Sequence, residues 1–159
     1  MSELELFNIG EPSLLVEDVS ASVGLTGVLP PSGTLVVARL DGSRMSGVDE
    51  VFGQFSDTLG FPAYFGWNWN ALFDCLSDLS WRPADAYLIV VDRAEEVLSG
   101  RQEERSALFS VLSRAAREWA DPLGKPSGQG VVFKVLLLAG GGAVEVIRQE
   151  VRQTFDVGS

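Results

Sequence analysis

The chain has 159 residues, a formal net charge of −10, one cysteine and no histidine. Its length suits one folded domain with an internal core, and its 46% hydrophobic and 21% charged fractions are those of an ordinary soluble globular protein. Without histidine, and with a single cysteine, it lacks the usual general base, the commonest metal ligand and the ordinary zinc sets, which excludes triad hydrolysis and histidine-based RNA cleavage.

No catalytic residue, metal or cofactor is therefore expected. The acid excess argues against nucleic-acid binding through phosphates, which needs clustered Lys and Arg, and fits steering toward a basic partner. No apolar run is long enough to span a bilayer, so no membrane partner is expected. The start Met1-Ser2-Glu3-Leu4-Glu5 is acidic where a signal peptide is basic. A lone cysteine agrees with a reducing compartment, so the expected location is the cytoplasm.

Residues 1–33 hold five acids and no Lys or Arg, and read as an acidic N-terminal extension with a short strand at Leu14-Leu15-Val16. Pro30-Pro31-Ser32-Gly33 breaks the chain before the next element. Thr34–Leu40 reads as the first strand, closed by Asp41-Gly42. Ser46 and Asp49 offer capping for a helix whose stripe is Val48, Val51, Phe52, Phe55 and Leu59, at i, i+3, i+4, i+7 and i+11. Gly60 ends it and Pro62 prevents continuation.

The run from Phe61 to Leu76 is the most informative stretch. An aromatic turn opens a helix at Asn68, a suitable N-cap. At about 100° per residue, Ala71, Leu72, Cys75, Leu76 and Leu79 share one arc, while Asn70, Asp74 and Ser77 fall opposite. Phe73 lies beside the polar set and Trp69 on the border. A ring next to a carboxylate on a solvated face marks an interaction surface. Of Tyr64 and Phe65, Tyr64 is expected outward. Cys75 falls on the core arc, and Gly66 is expected to supply a positive φ.

Ala86–Val91 is a second strand, Asp92–Leu98 a short helix, Glu103–Trp119 a longer one and Pro122–Gly130 a loop. Val131–Leu138 is the third strand, with Lys134 expected to reach out at a sheet edge. Gly140-Gly141-Gly142 has no phosphate-loop lysine and reads as a connector to a last helix carrying Val144, Ile147, Val151 and Phe155. Near-continuous apolar strands separated by helices give an α/β class: a small three-stranded parallel sheet covered on its faces. The expected organisation is a single domain over 1–159, with 140–159 forming the C-terminal helix.

Phe61-Pro62, Tyr64-Phe65-Gly66, Asn68 and Ala71-Leu72-Phe73-Asp74-Cys75-Leu76 resemble the barstar family, intracellular inhibitors of secreted barnase-type ribonucleases. The resemblance covers about residues 34–139, a barstar-like core. It implies that the turn and second helix plug the active site of a secreted ribonuclease or related toxin, and that the free protein is a monomer. It places Asp74 at the main acidic anchor, Tyr64 at an aromatic of the turn, and Gly66 and Asn68 where the turn is shaped and the helix begins. Phe73 stands where tryptophan is typical. Asn70 replaces an acid, Trp67 another, Trp69 an aliphatic residue, and Arg114 aligns roughly with a further family acid. The fewer acids and added tryptophans motivate an alternative, a protein-interaction module on the same scaffold with a non-nuclease partner.

Overall fold

Runs of Leu, Val and Ile, closed by Asp or by Ala before glycine, form four strands in the computed structural model, which describes residues 14–18, 34–120 and 131–158. They are β1 (Leu14–Asp18), β2 (Leu35–Asp41), β3 (Ala86–Asp92) and β4 (Val132–Ala139). All pair in parallel, in the order β1-β4-β3-β2. The sheet thus has four strands where three were expected. The additional one is the short strand expected at Leu14-Leu15-Val16 in the N-terminal extension, which joins the sheet: Leu14 pairs with Val135 and Asp18 with Ala139. β3 and β4 are central and almost wholly buried, as their lack of polar alternation requires.

β1 also explains Lys134, which was expected at an edge. It lies inside β4 opposite Leu88 and is 1% exposed. With β1 on one side of β4 and β3 on the other, this strand has no edge for a lysine to reach.

Four helices join the strands: α1 (Val48–Leu59), α2 (Trp69–Asp78), α3 (Gln102–Ala120) and α4 (Val144–Gly158). Gly47, in extended backbone, rather than Ser46, caps α1, and Gly60 ends it at φ 66°. Where a helix was expected over Asp92–Leu98 there is only a 3-10 turn at Ala94–Glu96, because Arg93 is left-handed at φ 51°. Further 3-10 turns lie at Gly42–Arg44, after β2, and at Gly141–Ala143, leading into α4. The Pro30–Gly33 break, the Pro122–Gly130 loop and the Phe155 side chain lie outside the described residues.

One sheet face, with Ala38, Leu40, Tyr87, Ile89, Val91, Phe133, Val135 and Leu137, packs against the stripes of all four helices. Phe52 and Phe55 come from α1, Leu72 and Leu76 from α2, Leu108 and Leu112 from α3, and Ile147 and Val151 from α4. Helices were expected on both faces. Among the described residues the opposite cluster, Leu88, Val90, Leu136 and Leu138 with Leu15 and Leu35, contains strand residues only.

β2 is an edge strand, and its end is fastened by a side chain. The Gln54 Oε1 accepts from the Asp41 N–H at 2.9 Å, and Gln54 Nε2 donates to the Asp41 carbonyl at 2.9 Å. On the same strand Arg39 forms a two-pronged pair with Asp92 of β3, at 2.7 and 2.9 Å.

A second tie joins α3 to α4. Arg105 Nε lies 3.0 Å from Glu150 Oε2, with both side chains largely buried. Arg105 Nη1 also donates to the Val97 carbonyl, so one guanidinium links α3, α4 and the connection after β3. Removing one member of such a pair strands the other charge in low dielectric. Glu150→Ala is expected to lower stability by about 3 kcal/mol, measured by urea denaturation, whereas Glu145→Ala, at an exposed pair with Arg148, is expected to change it by less than about 1 kcal/mol.

Candidate functional site

The aromatic turn is built around Phe65, whose N–H donates to the Pro62 carbonyl at 3.0 Å. Its buried ring meets Phe61 at 4.9 Å and Phe52 at 5.8 Å, both edge-to-face. That anchorage turns its neighbour Tyr64 outward, 73% exposed. Trp81 supports the turn from below: it meets Phe61 at 5.9 Å and donates Nε1–H to the Leu59 carbonyl at 3.1 Å.

Gly66 is not the left-handed residue that was expected. That role falls to Trp67, at φ 53°. Gly66 sits where a Cβ would be crowded, 3.2 Å from Asn68 Nδ2, which donates to the Gly66 carbonyl. A bulky residue at positive φ costs about 1–2 kcal/mol. The Trp67 ring offsets part of that by meeting Phe65 at 5.9 Å and Phe52 at 6.3 Å, while remaining 50% exposed.

Asn68 caps α2 as expected, its Oδ1 accepting from the Ala71 N–H at 2.8 Å. Leu72, Cys75 and Leu76 face the core. At the other end Leu79 turns left-handed, its N–H donating to the Cys75 carbonyl, and Trp119 of α3 donates Nε1–H to the Leu76 carbonyl at 2.8 Å. Trp69, expected on the border, turns inward and meets Phe52 at 4.9 Å.

The outward arc carries Asn70 and Asp74, both exposed, with Phe73 and Ser77 partly covered. Asp74 makes no hydrogen bond or ion pair among the described residues. Phe73 is only half outward: its ring packs against the edge of the core, and the Arg114 guanidinium of α3 lies over it at 4.4 Å. The structure thus brings Tyr64, Gly66, Trp67, Asn68, Asn70, Phe73 and Asp74 onto one turn-and-helix surface and adds Arg114. Nothing in local spacing places Arg114 there, since it sits on another helix and only tertiary packing brings it over Phe73.

The sequence pattern of the family described as "Barstar (barnase inhibitor)" matches residues 35–137, more than half of the chain. The chain belongs to the barstar family. The matched barstar segment runs from β2 into β4 and contains the whole turn and α2, while β1 and α4 lie outside it. No curated protein matches the sequence. Among solved structures, the Aeropyrum pernix ORC2 protein (ADPNP–ADP complexes) aligns over 95% of this chain and 40% of its own, with 16% identity and a TM-score of 0.54. Drosophila ORC bound to AT-rich DNA and Cdc6 aligns over 96% of this chain and 47% of its own, with 16% identity and a TM-score of 0.51. The chain spans less than half the length of either, and at this identity the likeness is one of fold. No helix among the described residues is long and apolar enough to cross a membrane.

Burial pushes the Cys75 thiol above its ordinary value, with Asp74 and Asp78 adding to the effect. A raised folded value favours the neutral thiol. Its contribution to stability is complete below the unfolded thiol's value and is lost as pH rises through the raised one. Labelling of Cys75 by a disulfide reagent at about pH 8 is expected to run at least about tenfold slower than in denaturant. Trp67→Asn is expected to change folding stability by less than about 1 kcal/mol by thermal denaturation, because relief of the left-handed strain offsets the lost ring contacts.

Proposed function

We propose that this barstar-family chain is an inhibitor or immunity protein that binds a ribonuclease-type toxin and blocks its active site with the aromatic turn and α2. The observation that carries the reading is Asp74: an exposed carboxylate on a helix fixed at both ends, without an internal partner among the described residues and directly after Phe73. A ribonuclease active site must hold phosphate and is therefore cationic, so a carboxylate presented rigidly can occupy the phosphate position. Tyr64, Trp67 and Phe73 supply apolar contact around it and exclude water. Asn70 contributes a neutral hydrogen bond, and Gly66 and Asn68 hold the turn in shape. The expected setting is the reducing cytoplasm, where the toxin would otherwise reach RNA.

A second reading keeps the scaffold and changes the partner. It is favoured by one feature, the mixed character of the face, where Asn70 and Trp67 replace acids and Arg114 brings a cation. Binding a non-nuclease protein through the same surface would leave RNA cleavage untouched, so an RNA-cleavage inhibition assay separates the two.

With barnase as the ribonuclease, Asp74→Ala is expected to cost about 2 kcal/mol or more of binding, read by titration calorimetry, and to abolish protection of RNA at matched concentrations. Wild-type association is expected to slow as salt rises from about 0.05 to 0.5 M. Unchanged affinity in Asp74→Ala would remove the carboxylate from the anchor role.

A further inference from the structure

On α3, beside the proposed interface, an exposed guanidinium is held without an ion partner. Arg114 stacks on Phe73 at 4.4 Å, and among the described residues it forms no hydrogen bond or salt bridge. Arg39, Arg101, Arg105 and Arg148 find carboxylates, and Arg82 donates to the Thr58 carbonyl, whereas Arg114 is placed over a ring. A guanidinium placed over a ring is restrained by it, and the exposed Arg114 keeps its fork of N–H groups accessible to a partner. Such a fork is ready for a two-pronged bond to a planar anion. Its stacking partner, Phe73, immediately precedes Asp74, whose carboxylate is likewise exposed and unpaired among the described residues. An exposed anion and a cation held over Phe73 therefore occur at neighbouring positions of this face.

We propose that Arg114 is a charge-selecting contact of this face, fitted to a protein partner that sets a carboxylate against Arg114 beside the cation that receives Asp74. The proposal rests on the reading of α2 as the interface. A guanidinium fork also suits phosphate, but Asp74 alongside it and a net charge of −10 oppose a polyanionic ligand. A carboxylate at the rim of a cationic protein cleft satisfies both charges. A uniformly cationic cleft satisfies only Asp74 and is repelled by Arg114. Arg114 thus separates partners that Asp74 alone would accept.

Titration calorimetry with barnase tests this, using wild type, Arg114→Met, Arg114→Glu and Asp74→Ala, with thermal melts confirming that each variant folds. Arg114→Met keeps an apolar stem over Phe73 and removes the charge. Affinity for barnase is expected to rise about threefold in Arg114→Met and at least about tenfold in Arg114→Glu, with both gains shrinking at about 0.5 M salt. A charge-reversal scan of the exposed Lys and Arg around the barnase cleft is expected to yield at least one Glu substitution that tightens wild type and weakens Arg114→Glu. Unchanged or weaker binding by both Arg114 variants, with Asp74→Ala still losing affinity, overturns the proposal and leaves the interface reading standing. A flat result for Asp74→Ala and both Arg114 variants overturns both. A scan without any such reversal also overturns the proposal.

Discussion

A ten-residue helix does not hold its shape in water on its own, so everything attributed to α2 depends on what pins it. Three devices do so. Asn68 satisfies an N–H at the start, the Leu72, Cys75 and Leu76 stripe is buried against the sheet and α3, and Trp119 reaches across from α3 to take the Leu76 carbonyl. The two ends and one side are thereby fixed, and only the arc with Asn70, Phe73 and Asp74 remains for another molecule. Rigid presentation matters because a contact made by an already ordered side chain loses less conformational entropy on association than one made by a mobile loop.

The turn before α2 works by the same logic with rings in place of hydrogen bonds. Phe61, Phe65 and Phe52 form an edge-to-face group below the surface, and this group carries Tyr64 and Trp67 above it. Trp67 is held in a backbone conformation that bulky residues avoid, yet half of its ring stays in solvent. Folding alone would be served at least as well by Gly or Asn at that position. A strained, half-exposed tryptophan in the turn that leads into the helix carrying Asp74, a carboxylate unpaired among the described residues, suits contact with another molecule.

Much of this was legible locally. The 3.6-residue period of α1 and α2, the Asn68 cap, the Gly60 stop and the inward–outward split of Phe65 and Tyr64 depend on residues a few positions apart. The errors share a different cause. Leu14-Leu15-Val16 reads as a short strand, but nothing local puts it in the main sheet, where its place is set by pairing with β4, some 120 residues away. That missing neighbour made Lys134 look like an edge residue. Gly66 drew the positive φ to itself because glycine usually takes it, whereas this turn uses the glycine for clearance and bends at the next residue. The angle puts Phe73 outside the apolar arc, but the ring packs partly against the core and lies under Arg114 of another helix, which no helical projection of α2 can include.

The Gln54 amide on β2 has a wider consequence. By offering both an acceptor and a donor to Asp41, it imitates the backbone of an adjoining strand and caps the last rung of an otherwise open ladder. Beside it, Arg39 and Asp92 keep full charges at the same border. A parallel sheet with bare margins invites strand-to-strand stacking between copies of the chain. These three side chains blunt one margin and so disfavour edge-to-edge stacking of one copy on another.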